Sequence, residues 1–115
     1  MAPAFSDPGG DMARAQLAQQ AVAFVFHEDV EDISASTRRS RRAALARQAA
    51  MYLTHIAFGM SLARVALAFG RDRTTVAHAC HVIEDRRDDP LFDEQLEDLE
   101  MFLRAAPHAS REAYA

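Results

Sequence analysis

Two short apolar segments separated by a single glycine-containing turn constrain the fold of this chain most strongly. The first, LARVALAF at residues 62–69, follows Ser61, a residue type that caps helices at their N-terminus. The second begins near Asp72, with polar residues first and then apolar residues at helical spacing. Gly70 lies between them, at a position where glycine commonly ends a helix. The pattern predicts a helix-turn-helix, a unit that lays its second helix in the DNA major groove.

Helical spacing of apolar residues extends over most of the remaining chain. The expected helices lie at about 11–27, 40–58, 62–69, from 72–74 into the charged run at 84–90, and 90–105. Asp11 is a candidate N-cap for the first helix, and a loop with a short turn follows that helix. No segment alternates with the period of a strand, so we expect one all-α, five-helix domain over residues 11–106. Loose tails are expected at residues 1–10 and 107–115.

Charged residues are segregated along the chain. Residues 1–35 carry one arginine and six acids, residues 36–81 carry eight arginines and one acid, and residues 82–115 carry four arginines and ten acids. The central region therefore has a net charge of +7, although the whole chain is at −4. Such a basic centre indicates either a face that binds a polyanion or a solvated charge run. All of its charge comes from arginine, which favours planar, bidentate recognition.

The stretch from Ser40 to Glu84 resembles the C-terminal DNA-binding domain of DnaA, the bacterial replication initiator. The matching pieces are RQ at 47–48, AMYL at 50–53, SL at 61–62, FGRD at 69–72, TTV at 74–76 and HAC at 78–80. The resemblance covers about residues 15–105 and is strongest from 38 to 84. It implies a module that binds double-stranded DNA as a monomer on an asymmetric site.

The resemblance also implies which residues contact the DNA backbone and the minor groove. Arg39 matches an arginine that enters the minor groove, and it lies in a basic run with Arg38, Arg41 and Arg42. An arginine at that position suits a narrow, A/T-rich groove with a strongly negative potential. The phosphate contacts that the resemblance implies are Arg47, Gln48, Arg71 and the backbone N–H groups at Leu62 and Ala63.

Base reading is expected at the start of the fourth helix. Asp72 matches a residue that accepts a hydrogen bond from a base amine, while Thr74 and Thr75 match residues at thymine and at the backbone. The family's GGRDH is GRDR here, so one glycine is missing and Arg73 replaces a histidine. Because arginine prefers the O6 and N7 atoms of guanine, we expect a guanine-containing variant of the DnaA box, or low sequence preference. The shorter turn is expected to delay or re-aim the fourth helix.

Several other kinds of site are not expected. The chain contains neither lysine nor a GxxxxGK[ST] loop, so the resemblance implies the DNA-reading module without the AAA+ ATPase of DnaA. No Ser/His/Asp or paired-carboxylate arrangement predicts an enzyme. His78, Cys80 and His81 are poorly spaced for a tetrahedral site, so neither a metal nor a cofactor is expected. The chain shows no signal peptide and no membrane-spanning apolar run, which predicts a cytoplasmic, nucleoid-associated protein.

Three functions fit these features. The first is a transcription regulator that acts with a second regulatory protein or RNA polymerase, as in the DnaA-like half of gene transfer agent activators. The second is a modulator of chromosomal replication initiation that competes with DnaA for its boxes. The third is a protein-interaction module without DNA binding, against which the retained arginines argue. The acidic side of the last helix is expected to face away from DNA, and leucine or phenylalanine exposed there would form a partner site.

Overall fold

A computed structural model of the chain describes residues 8–35 and 40–106. Its helices are α1 (Asp11–Phe26), α2 (Val30–Ser34), α3 (Arg41–Phe58), α4 (Leu62–Phe69), α5 (Arg73–Arg86) and α6 (Pro90–Ala105). The described residues contain no strand, so the predicted all-α class is confirmed. The additional element is the short α2, where the sequence indicates a loop with a turn. A 3-10 turn at Pro8–Gly10 precedes α1, and the rest of the expected tails, residues 1–7 and 107–115, lies outside the described residues.

Local capping residues set the ends of the central helices. The hydroxyl oxygens of Ser40 and Ser61 each accept a hydrogen bond from the backbone N–H three residues further on, at 3.0 and 3.2 Å. Gly59 and Gly70 end α3 and α4 in the left-handed conformation, with φ of 68° and 64°. Glycine adopts this conformation without the steric cost that a Cβ would add. The ends of α3 and α4 therefore match the boundaries predicted from the sequence.

Asp11 is not the N-cap of α1, contrary to the sequence-based expectation. Gly10 occupies the capping position, and Asp11 is the first helical residue. The Asp11 carboxylate accepts hydrogen bonds from Arg14 Nη1 at 2.9 Å and from Arg64 Nε and Nη2 at 3.0 and 2.6 Å. Asp11 is only 7% exposed, so its side chain joins the start of α1 to the start of α4 instead of capping α1.

Helix α3 is the central element of the core. The helices α1, α5 and α6 all make their most extensive contacts with α3, and α4 packs against α5 and α1. Small side chains on α3, including the fully buried Ala46, Ala49 and Ala50, allow neighbouring helices to approach closely. Val76 and Ile83 of α5 are also fully buried. This packing fixes the rotation of α5 about its own axis, and so decides which of its side chains face solvent.

A polar cluster fastens α6 and the end of α5 to α3. The Tyr52 hydroxyl donates a 2.6 Å hydrogen bond to Glu84 Oε2 and accepts one of 3.0 Å from Arg87 Nη1. Arg87 also forms ion pairs with Asp93 and Glu100 of α6. Burial is the main cause that raises the pKa of Tyr52 to about 12, and the hydrogen bond to Glu84 adds to it. Within residues 8–35 and 40–106, no helix combines the length and the apolar character needed to cross a bilayer.

Candidate nucleic-acid interface

The unit formed by α4, its turn and α5 has helix-turn-helix geometry. After Gly70, the Arg71 N–H donates to the Ala66 carbonyl at 2.9 Å, while the Gly70 N–H donates to the Leu67 carbonyl at 3.3 Å. These two bonds form the arrangement that commonly ends a helix on a left-handed glycine. Asp72 then adopts an extended conformation at the N-cap of α5, which begins at Arg73. One left-handed residue is therefore enough to close this turn, and α5 starts within the predicted range.

The polar residues at the start of α5 face solvent. Asp72, Arg73, Thr74 and Thr75 are all exposed, whereas Val76 immediately after them is fully buried. Although Asp72 occupies the N-cap position, its side chain makes no capping hydrogen bond. Its carboxylate is therefore not engaged in holding the helix start. The structure brings the four predicted base-reading side chains together on one exposed helix terminus.

Beside α5 lies an open cleft between α3 and α5 that is lined by arginines. Its volume is about 670 Å³. Its polar lining consists of Arg41, Arg42, Arg47, Gln48, Arg71 and Arg86. Among the described residues that line the cleft, none is acidic. We call this feature the arginine cleft. It unites four of the predicted contacts, namely Arg41, Arg47, Gln48 and Arg71, with Arg42 of the same basic run and with Arg86, which the sequence analysis did not single out.

Arg47 is held more tightly than a surface phosphate contact requires. It is 8% exposed, and its Nε and Nη2 donate to the carbonyl oxygens of Ile33 at 2.8 Å and Asp32 at 3.2 Å. These carbonyls belong to the last turn of α2, so Arg47 fastens α2 to α3. Burial, and then the nearby charge of Arg71, lower the pKa of Arg47. A phosphate contact by Arg47 stays a prediction.

Arg71 reaches across to the end of the chain segment that follows α2. Its Nη2 donates a 2.6 Å hydrogen bond to the carbonyl oxygen of Ala35. Carbonyl acceptors are neutral, and neither Arg47 nor Arg71 has a carboxylate partner among residues 8–35 and 40–106. Other described arginines pair with carboxylates, and these are Arg42 at the cleft and Arg14, Arg64, Arg87 and Arg104 outside it. Positive charge is therefore concentrated in the arginine cleft, where an anion would reduce the repulsion between Arg47 and Arg71.

Arg86 is the part of the cleft that sequence reasoning missed, whereas Arg42 belongs to the basic run expected to contact DNA. Arg42 pairs with Glu28 at 2.9 Å, and Arg86 lies over the ring of Phe92 at 5.6 Å from its centroid. Arg42 follows Arg41 directly in the basic run, which is a local signal. No local sequence signal pointed to Arg86, because it lies in an acidic region of the sequence. Only the packing of α5 on α3 brings it to the cleft.

The other predicted contacts lie around this region. Leu62 is half-buried and Ala63 is exposed in the first turn of α4, and Arg41 is exposed in the first turn of α3. The predicted minor-groove residue Arg39 and its neighbour Arg38 lie outside the described residues. Segment 36–39 joins Ala35 to the start of α3, so it begins at the carbonyl that Arg71 contacts. The roles of all these residues stay predictions.

An exposed, polar helix start beside an arginine-lined cleft defines the helix-turn-helix class of DNA-binding proteins. Residues 15–83 match the family described as the bacterial dnaA protein helix-turn-helix. The chain belongs to this family, which confirms the resemblance seen in the sequence. The family supports DNA binding by this chain, and its helix-turn-helix is not a catalytic domain.

The structure is also similar to a solved crystal structure of a DNA replication initiation factor. The two share 31% sequence identity and superpose with a TM-score of 0.72. The match covers 83% of this chain but only 29% of that protein. The likeness therefore extends over most of this chain and over less than a third of the length of its structural relative.

Proposed function

We propose that this protein binds double-stranded DNA and regulates transcription together with a second protein. In the proposed complex the start of α5 enters the major groove, while the arginine cleft lies against the phosphate backbone. The observation that carries this proposal is the position of the arginine cleft along α5, where Arg71 of the cleft directly precedes the exposed residues at the start of that helix. A major groove about 12 Å wide admits one α-helix, which leaves side chains on the flank of that helix to meet phosphates.

Electrostatics supports phosphate binding at the cleft. Arg47 and Arg71 repel one another, and this repulsion is the second cause, after burial, that lowers the pKa of Arg47. A phosphate held between the cleft arginines would offset that repulsion and release counterions from the DNA. Such contacts position a protein on DNA without reading its sequence. The cleft therefore accounts for affinity, and the specificity must come from α5 and from the segment that carries Arg39.

Base reading falls to Asp72 and Arg73 in this proposal. Arg73 is exposed at the first residue of α5, where a guanidinium can reach guanine O6 and N7. Asp72 precedes it with a carboxylate that does not cap the helix and can accept from a cytosine amine. Because the family resemblance implies histidine in place of Arg73, we expect the preferred site to differ from the standard DnaA box. We also expect the protein to bind as a monomer and to be nucleoid-associated in the cytoplasm.

A second candidate function is the control of replication initiation. The likeness to a DNA replication initiation factor favours it, with 31% identity over 83% of this chain. In that role the protein would occupy DnaA-box-like sites and compete with the initiator. The two functions differ in their target DNA, because replication control requires overlap with DnaA boxes and transcription control requires sites at promoters.

Substitutions at the rim of the arginine cleft test DNA binding most cleanly. Arg41 and Arg86 are exposed and donate no hydrogen bond that holds α2 or the following segment in the described structure. Arg41→Ala and Arg86→Ala should each weaken binding to a mixed-sequence duplex several-fold and reduce the salt dependence by about one phosphate contact. Fluorescence anisotropy at two salt concentrations measures both quantities.

Arg104→Ala is the matched control, because it removes the same charge from a residue outside the cleft. Arg104 pairs with Glu100 at 2.6 Å on α6. We expect its affinity and salt slope to equal those of the unmodified protein. Equal losses of affinity in all three variants would mean that net charge alone drives DNA binding. No binding by the unmodified protein at low salt would contradict the proposed function.

A further inference from the structure

A second surface, on α1 and α6, carries exposed apolar side chains in a groove. The groove has a volume of about 550 Å³ and is lined by Leu17, Ala21, Phe24 and Val25 of α1, and by Leu99 and Phe102 of α6, among others. Phe24 is 82% exposed and Phe102 is 54% exposed. Single exposed apolar residues are ordinary, but several that line one groove mark an interaction site. We call this feature the α1/α6 groove.

The charges around the groove are acidic on one side only. Asp98 of α6 is among its lining residues, and Glu94 lies one helical turn earlier on the same edge. Both are exposed. The facing edge on α1 is neutral and includes Gln20. None of the described residues that line the groove is an arginine, so a bound segment would meet an apolar floor and one negative edge there.

We propose that the α1/α6 groove binds an amphipathic helix of another protein, with an apolar face and a basic edge. A groove between two helices has the shape that a third helix fills with residues at spacings of three and four. Apolar residues of the partner would cover Phe24 and Phe102. Lysine or arginine along one edge of the partner would pair with Glu94 and Asp98, which steers encounter and fixes orientation.

The charge of this protein argues against a second copy as the occupant. The chain has a net charge of −4, and a second copy would present the same groove with the same acidic edge. A basic-edged partner gains from that edge, whereas a second copy does not. The groove shares no lining residue with the arginine cleft, so both surfaces can be occupied at once. The inference extends the proposed function by giving the second protein a place to bind, but its test does not require DNA binding.

Selection of helical peptides on the purified chain tests this inference. The probe is a displayed library of amphipathic helical peptides that share an apolar face and have randomised edge positions. We expect enrichment of peptides with lysine or arginine on one edge. Their affinity should fall about tenfold or more in the Phe24→Ser/Phe102→Ser variant, because aromatic side chains dominate such interfaces. Both residues are exposed, so the variant should fold, which circular dichroism checks.

Two further variants distinguish peptide binding in the groove from non-specific binding to exposed apolar residues. Leu67 of α4 is also 82% exposed but lies outside the groove, so Leu67→Ser should leave peptide affinity unchanged. The Glu94→Arg/Asp98→Arg variant keeps the apolar floor and should select peptides with acidic edges instead. The Phe24→Ser/Phe102→Ser variant changes no charge and should bind DNA with unchanged affinity, so failure of this inference is distinguishable from failure of the proposed function.

Several outcomes would overturn the inference. One is enrichment of peptides with no edge preference, and another is equal loss of peptide binding in Leu67→Ser. Self-association in sedimentation experiments that the Phe24→Ser/Phe102→Ser variant abolishes would make a second copy the occupant. Peptide binding that occurs only after removal of residues 107–115 would make that segment the occupant.

Discussion

The guanidinium of Arg71 donates a 2.6 Å hydrogen bond to the backbone carbonyl of Ala35. Arg71 belongs to the turn that precedes α5, and Ala35 immediately precedes segment 36–39, which carries Arg38 and Arg39. One side chain therefore joins the turn before the expected base-reading residues to the residue that precedes the segment expected to enter the minor groove. A change at Arg71 should affect both.

Two substitutions of Arg71 should distinguish what its charge and its hydrogen-bond geometry each contribute to DNA binding. We expect Arg71→Ala to weaken DNA binding about tenfold and to lower the salt slope by about one contact. Arg71→Lys should restore the slope, because the charge returns, but not the full affinity, because an ammonium cannot form the same fork of hydrogen bonds. Anisotropy titrations at several salt concentrations measure both. An unchanged slope in Arg71→Ala would show that Arg71 does not contact phosphate.

Substitution of Gly70 should destabilise the protein through its backbone alone. Gly70 has a φ of 64°, and an added Cβ would meet no atom within 4 Å. Gly70→Ala should therefore cost about 1 kcal/mol of unfolding free energy from conformational strain and not from a clash. Gly70→Asn should cost less, because asparagine tolerates the left-handed conformation better than alanine. Urea denaturation of the three proteins gives the comparison, and equal stability of all three would contradict this account of the turn.

Loss of the Asp11 carboxylate should destabilise the contact between α1 and α4. Asp11 is 7% exposed and accepts hydrogen bonds from both Arg14 and Arg64. Asp11→Asn removes the negative charge from between two arginines, so we expect a loss of about 2–3 kcal/mol of unfolding free energy. Asp98→Asn is the matched control, because Asp98 is exposed, and it should change stability by less than about 0.5 kcal/mol. Similar values for both variants would show that the buried cluster contributes little.

Tyr52 should make the protein sensitive to strong alkali. Its pKa is raised to about 12, above the ordinary value of 10.0. The unfolded chain therefore loses this proton first as the pH rises, so the contribution of Tyr52 is complete below pH 10 and disappears between about pH 10 and 12. We expect about 2 kcal/mol of unfolding free energy to be lost over that interval. The chain contains no lysine, so no lysine side chain titrates over this pH range.

Comparison with Tyr52→Phe isolates that alkaline loss. Phenylalanine does not titrate. The unfolding free energy of the Tyr52→Phe variant should therefore decline less between pH 10 and 12 than that of the protein that keeps Tyr52. Burial also raises the pKa of the Cys80 thiol, so both proteins should carry Cys80→Ala to remove that titration. Parallel curves for the two proteins would contradict the assignment to Tyr52.

The helix boundaries were predictable because local residues set them, whereas the roles of several side chains depend on distant contacts. Ser61 and Gly70 act on their own helix ends, and the structure confirms both. The prediction that Asp11 caps α1 was wrong, because the Asp11 side chain contacts Arg64, which is 53 residues away in the sequence. The helix α2 has five residues, which is too short to show a helical period.

The candidate site was predictable where it is formed by consecutive residues and not where it depends on the packing of two helices. The residues at the start of α5 form one continuous run of sequence, so a single motif identified them. The arginine cleft requires α3 and α5 to pack together, which no local pattern describes. Arg86 was therefore missed, and the burial of Arg47 against the Ile33 carbonyl was not foreseen.

Selection of preferred duplexes by the unmodified protein and by Arg73→Ala tests the central claim most directly. Sheared genomic DNA is bound at two salt concentrations, and the retained fragments are sequenced. We predict a defined motif that contains guanine, differs from the full DnaA box and changes or disappears in Arg73→Ala. The same motif from both proteins would show that Arg73 does not read bases. No retention of DNA by the unmodified protein at either salt concentration would contradict the account.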